Sequence, residues 1–269
     1  MRHFALAGLL ALSFTTTAVE AGERQELVVR NATVVLREIQ SIPDQSIPNS
    51  LLQRAKGIAI LPNVWKVGLW LGGRGGNGVM MIKDRDGRWT NPAFIRIGGV
   101  SFGPQIGGQK ADVVLVFTTE HSIDGITDGQ MTFGADASIA AGPVGREASA
   151  ATNLGFDKEV YSYSRAAGLF AGIALDGSYI AINRKGNASY YETPGVSVAD
   201  IFAGRAKAPG KGERELADEL DRVTARQAGT APAAASAETA RDPGGRSQPQ
   251  PAPAQTFPME DANPGAEPR

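Results

Sequence analysis

From Gly57 to Phe117 the chain alternates short apolar runs with glycine. "GIAILP", "VGLWLGG", "GVMMIK", "AFIRIGGVSFG" and "ADVVLVFT" each show the period-two texture of a strand, and Asp86-Gly87 marks a tight turn among them. "SIAAG", "EVYSYS", "GLFAGIAL" and "SYIAIN" continue the pattern, with a second tight turn expected at Lys185-Gly186. Ahead of the strands, "ERQELVVRNATVVLREIQSI" spaces Val28, Ala32, Val35, Ile39 and Ile42 as one face of a helix. Glu26, Arg30, Thr33, Arg37 and Gln40 stand opposite. Pro43 and Pro48 stop this helix, and "NSLLQRAKG" predicts a short one ending at Gly57. Further short helices are expected at "TEHSIDGIT" and "SVADIFAG". The fold class is α+β: an antiparallel β-rich, barrel-like or sandwich domain with an N-terminal amphipathic helix and short peripheral helices.

The two ends read differently from the middle. Residues 1–21 combine Arg2, an apolar run from Phe4 to Phe14 and small residues up to Ala21. That is the pattern of a secretory signal cleaved after Ala21, and the apolar run is too short to span a bilayer. The expected domain occupies 22–204. Residues 205–228 read as a linker with a short exposed helix carrying Leu216, Leu220 and Val223. Residues 229–269 hold eight of the sixteen prolines and are expected to be disordered. With no cysteine in the chain, disulfides, thiolate catalysis and cysteine metal sites are excluded. Export therefore predicts a periplasmic or extracellular protein, with peripheral membrane association.

Within "GGRGGNG", Gly73, Gly75 and Gly78 have the spacing of a dinucleotide fingerprint. The chemistry needs a helix N-terminus after the glycines, yet "VMMIKDRDGRW" follows, a strand and a turn. Glycines inside strands mark bulges, bends or close backbone approach, and that reading is preferred. Gly99-Val-Ser101-Phe-Gly103 matches a nucleophile elbow. A serine hydrolase would have to use His121 as its base, and no suitably placed acid completes the set. No catalytic residue, metal site or cofactor is expected.

Charge placement is the remaining signal. Residues 22–203 carry 17 basic and 17 acidic side chains. Residues 50–110 hold nine of the basic ones, Arg54, Lys56, Lys66, Arg74, Lys83, Arg85, Arg88, Arg96 and Lys110, against Asp84 and Asp86 alone. Four such cations near an anionic bilayer, each contributing about 1 kcal/mol, suffice for reversible docking.

"AKGIAILPNVWKVGLWLGGRGGNGVMMIK", "GGVSFGPQIGGQKADVVLVF", "SIAAGPVGREASAAT" and "YSYSRAAGLFAGIALDGSYIAI" run in order across 40–203 and resemble the SYLF (DUF500) family. The resemblance implies a non-enzymatic lipid-binding domain, with phosphoinositide and membrane binding in eukaryotic members and F-actin binding in fungal ones. The export signal argues against actin as a partner here and favours anionic phospholipid, without nucleic acid. Expected lipid-binding residues are Lys56, Lys66, Arg74, Lys83, Arg85, Arg88, Arg96 and Lys110, with Trp65 and Trp70 entering the interface. An envelope scaffold that binds protein is the alternative, and a hydrolase using Ser101 a distant one.

Overall fold

Val29, Ala32, Val35, Leu36 and Ile39 form a buried stripe along the first helix, α1 (Phe4–Ser41). A computed structural model describes residues 4–41, 46–144, 156–166, 169–208 and 210–225, the side chains of 4–21, 68–71 and 101–107 excepted. The helix runs unbroken through Ala21. Its stripe is wider than the period predicts, because α1 packs against both the sheet and other helices. Thr33, expected on the polar face, is therefore buried, and its hydroxyl donates to the Val29 carbonyl at 3.2 Å. Val28 is only half-buried and Ile42 falls outside the described residues.

After α2 (Asn49–Arg54) come two long strands, β1 (Gly57–Ile82) and β2 (Ala93–Phe117). They pair antiparallel from Gly57 opposite Phe117 to Met80 opposite Ala93. The five short strands read from sequence are pieces of these two. Pro62 does not end β1, because it lies with Asn63 in a bulge opposite Asp112. Asn63 takes the left-handed conformation (φ 56°), and its N–H donates to Asp112 Oδ1 at 3.0 Å. Pro104 and Gln105 form the second irregularity, on β2. Proline lacks the ladder donor, so a long strand survives it only at a bulge or edge.

Alternate residues of this ribbon feed two cores. Ile58, Ile60, Val79, Met81, Val114 and Val116 face the helices, whereas Ala59, Leu61, Met80, Ile95, Val113 and Leu115 face inward. Burial on both faces makes the runs nearly continuous in apolar character. The remaining elements are α3 (Glu120–Thr127), β3 (Gln130–Thr132), β4 (Ile139–Ala141), β5 (Val160–Ala166), β6 (Leu169–Gly172) and β7 (Ser178–Ile182). Among the described residues the strands form one sheet in the order β3-β7-β2-β5-β4, with β1 added to β2 and β6 to β5. All pairs are antiparallel except β4 with β5. The sheet curls into a half-barrel, the barrel-like form of the expected α+β domain.

The helices obey their caps. Thr119 accepts from the Ser122 N–H at the start of α3, and Ser197 from the Asp200 N–H at the start of α5 (Val198–Phe202). The turn expected at Lys185-Gly186 is instead α4 (Arg184–Tyr190), because Asn183 caps it by accepting from the Gly186 N–H at 2.9 Å. The other turn is as expected: Gly87 has φ 79°, and its N–H donates to the Asp84 carbonyl at 3.0 Å.

The last described helix corrects a further expectation. α6 (Gly212–Ala225) is not an exposed helix of a linker, since Leu216, Leu220 and Val223 are all within 4% of full burial and pack with α1. Glu219, 5% exposed, accepts from Arg37 Nε at 3.2 Å and from Arg222 Nε at 3.1 Å. The Tyr190 hydroxyl donates between Glu213 (3.1 Å) and Glu26 (3.3 Å), joining α4, α6 and α1. Packing thus continues to Ala225, beyond the expected boundary at 204. The segment expected to be disordered, 229–269, lies outside the described residues.

Candidate functional site

The glycines of "GGRGGNG" lie within β1, which continues as strand to Ile82. No helix N-terminus follows them, so the pyrophosphate geometry is missing. A Cβ on Gly75 would lie 2.8 Å from the Trp65 ring, and one on Gly76 would lie 2.8 Å from Val64 Cγ2. At Gly78 it would run into the Ile60 carbonyl oxygen. Their absent side chains let the second half of β1 close over its own first half.

The ten residues read as a lipid site divide into two groups. Lys56, Lys83, Arg85 and Arg88 gather at the turn end of the ribbon, where Arg54, Lys56, Lys83 and Arg85 line an open cavity of about 1070 Å³. Asp84, Glu120 and Asp124 line the same cavity. Lys56 pairs with Glu120 at 3.8 Å, and Arg88 pairs with Asp86 at 3.0 Å and Asp84 at 3.4 Å. Lys83 stands 5.2 Å from the centre of the Trp89 ring, and burial pushes its pKa down. Arg54 covers Phe156 at 5.5 Å. Folding therefore interleaves acids with this half of the cationic surplus, and the surplus does not form one face.

The second group is less compensated. Trp65, 48% exposed, pairs across the ribbon with Lys110, and Lys66 pairs with Gln109. Val67 on β1 and Val100 on β2 are each at least half exposed. Leu169, which opens β6, reaches 72%. Lys66 and Arg74 line a cavity of about 390 Å³ whose other walls include Val64, Ile97, Val113 and Leu175. Arg74 Nε is buried with no hydrogen-bond partner among the described residues, and desolvation lowers its pKa. Arg96 is exposed opposite Asn77 and lines neither cavity. Trp70 pairs through its backbone with Gly103, and its side chain lies outside the described residues.

Sequence reasoning named Trp65, Lys66, Arg74 and Lys110, but it missed Val67, Val100 and Leu169. Those three look like ordinary strand residues until the curvature of the ribbon is known. The N-terminal amphipathic helix offers no free apolar face to a membrane along this stretch, since its stripe from Val29 to Ile39 is part of the core.

The hydrolase constellation is not assembled by the described atoms. The Ser101 side chain is outside them, and its backbone pairs with Gly72 in mid-ribbon. His121 Nδ1 stands 2.8 Å from Glu159 Oε1 on the exposed side of α3. Glu159 also accepts from the Ser138 N–H at 2.9 Å and from the Ser138 hydroxyl at 3.2 Å. Those hydrogen bonds, the Ser138 N–H first, hold the Glu159 carboxyl below its ordinary pKa.

Residues 98–223 match the family model described as "Ysc84: Las17-binding protein actin regulator". The chain belongs to the Ysc84 (SYLF) family. Protein YSC84 of Saccharomyces cerevisiae is 37% identical over 169 residues, which is 62% of this chain and 36% of the yeast protein. LAS seventeen-binding protein 3 of the same species is 36% identical over a stretch of the same length. The human SH3 domain-containing YSC84-like protein 1 is 32% identical over 201 residues, 72% of this chain and 58% of the human protein. The chain thus spans between about a third and three fifths of these relatives. LAS seventeen-binding protein 3 is named for binding, and the human protein for its SH3 domain. The expectation that actin is no partner is corrected here. It rested on the export signal alone, and the family model that matches is described as a Las17-binding actin regulator.

Proposed function

We propose that this Ysc84 domain is a non-enzymatic binding module that docks on anionic phospholipid through the curled ribbon. The observation that carries the reading is the pairing of exposed apolar side chains with cations on adjacent strands. Trp65 lies opposite Lys110, and Val67 stands two residues along on the same face as Trp65. Aromatic and aliphatic groups partition into the headgroup boundary while neighbouring ammonium groups meet phosphate. Among the described residues no helix is long and apolar enough to cross a bilayer. The turn-end cations contribute less, because Glu120, Asp84 and Asp86 offset them.

Liposome flotation tests this. Vesicles containing phosphatidylserine or phosphatidylglycerol should float the protein, whereas pure phosphatidylcholine should not. The double variant Lys66→Glu/Lys110→Glu should lose flotation while its circular dichroism stays native. Undiminished flotation by that variant would end the proposal.

A second reading is favoured by the relatives' names, which include Las17 binding and an SH3 domain. In it the domain joins an actin-regulatory assembly, and the membrane contact serves to place it. Co-sedimentation with filamentous actin is the direct measurement. Residues 1–21 act as an export signal in the first reading, and N-terminal sequencing of protein recovered outside the cytoplasm should begin at Gly22.

A further inference from the structure

The cavity behind Lys66 and Arg74 combines two features that belong together in one kind of site. Most of its lining is apolar, with Val64, Ile97, Val113, Ile173 and Leu175 and small alanines at 111, 166 and 174, alongside the polar Gln109 and Ser164. Lys66 and Arg74 line it too, and the Arg74 Nε is buried without a hydrogen-bond partner among the described residues. A buried donor left unpaired carries its full desolvation cost, so such groups in native proteins ordinarily have a partner. The planar guanidinium fork matches the oxygens of a carboxylate or phosphate.

We propose that this cavity holds a single-chain anionic amphiphile, its head on Arg74 and Lys66 and its chain between Ile97, Val113 and Leu175. A volume of about 390 Å³ lies in the lower part of the range for small-molecule sites. It has room for one acyl chain but not for the two chains of an intact phospholipid. The inference rests on the reading of the domain as a binder of anionic lipid, but it places a different molecule inside the ribbon. Burial that lowers the Arg74 pKa is consistent with a cation whose counter-ion is the ligand's own head.

The test uses the full chain and displacement of a dansylated fatty acid, with laurate, dodecyl phosphate and dodecanol as competitors below their micellar concentrations. Laurate and dodecyl phosphate should compete, the stronger of the two identifying the head, and dodecanol should compete at least tenfold less well. Arg74→Gln should weaken laurate binding at least tenfold. Ala174→Phe, placed at the rim and outside any strand, should block the chain while leaving flotation on anionic liposomes unchanged. Absence of laurate binding by the natural protein would overturn the proposal, as would equal binding by both natively folded variants. Failure of the surface reading looks different: flotation would then be insensitive to Lys66 and Lys110 while fatty-acid displacement persisted.

Discussion

Gly78 packs against the carbonyl oxygen of Ile60, an earlier residue of the same strand. The contact exists because β1 curls until its second half covers its first, and nothing larger than hydrogen fits between them. Gly73, by contrast, has no neighbour closer than the Gly99 carbonyl at 4.0 Å from an added Cβ. Gly78→Ala should therefore destabilise the fold by about 1–3 kcal/mol or more, since the obstacle is backbone. Gly73→Ala should stay within about 0.5 kcal/mol. Urea unfolding of the two variants measures the difference. Neither NAD nor ATP should raise the melting temperature, because a ligand that bound the native state would do so by mass action.

Trp65 is, among the described side chains, an exposed aromatic of the proposed docking surface, and Trp89 is 8% exposed. Addition of anionic vesicles should shift tryptophan emission to the blue, and Trp65→Phe should remove much of that shift. Trp65→Ala gives up roughly half of a large side chain's transfer energy, about 1–2 kcal/mol, so binding should weaken roughly tenfold. Binding should also fall steeply with salt, since surface charge is screened over about 8 Å at physiological ionic strength.

Glu159 sets an acid limit on stability. Its carboxyl is held below the ordinary value of 4.5 by the Ser138 N–H and then by its other hydrogen bonds, the His121 contact among them. A depressed folded-state pKa contributes stability that is complete above the unfolded value and lost as pH falls through the folded one. Thermal melts should therefore decline as pH drops below about 4.5. Glu159→Gln should be less stable at neutral pH and should flatten that part of the decline.

The packing of α6 on α1 makes a size prediction. Leu220 is 1% exposed, so Leu220→Ala should cost about 2–5 kcal/mol of stability. A chain ended at Gly204 should fail to give a cooperative melt, because it exposes the α1 stripe and leaves Arg37 without Glu219.

Much of the fold was legible in local chemistry. Period-two runs located every strand but the three-residue β3, and the helices expected at "TEHSIDGIT" and "SVADIFAG" are present, each capped by its first residue. Three features were not. Strand continuity through Pro62 and Pro104 depends on bulges, whose partners lie far along the chain. The helix at 184–190 hides behind Lys185-Gly186, a pair that also suits a turn, until Asn183 is seen capping it. The burial of Leu216, Leu220 and Val223 depends on α1, which a charged local background conceals. The candidate site follows the same rule. Side-chain type picked out Trp65, Lys66, Arg74 and Lys110, but only curvature separates them from Lys56 and Arg88, which meet acids.

The edge of β2 away from β1 carries β7 along 95–99 and β5 along 112–117. Between those partners, residues 100–111 are paired only with β1 among the described residues. An open edge of that length is a template on which another strand can add, and identical copies could zip together there. Pro104 stands within it, at the ribbon's irregularity, and offers no N–H. A strand laid along this edge would meet an irregular ladder near its centre, and Lys110 would add repulsion between copies near one end. The irregularity at Pro104 thus makes this edge a poorer template for a further strand.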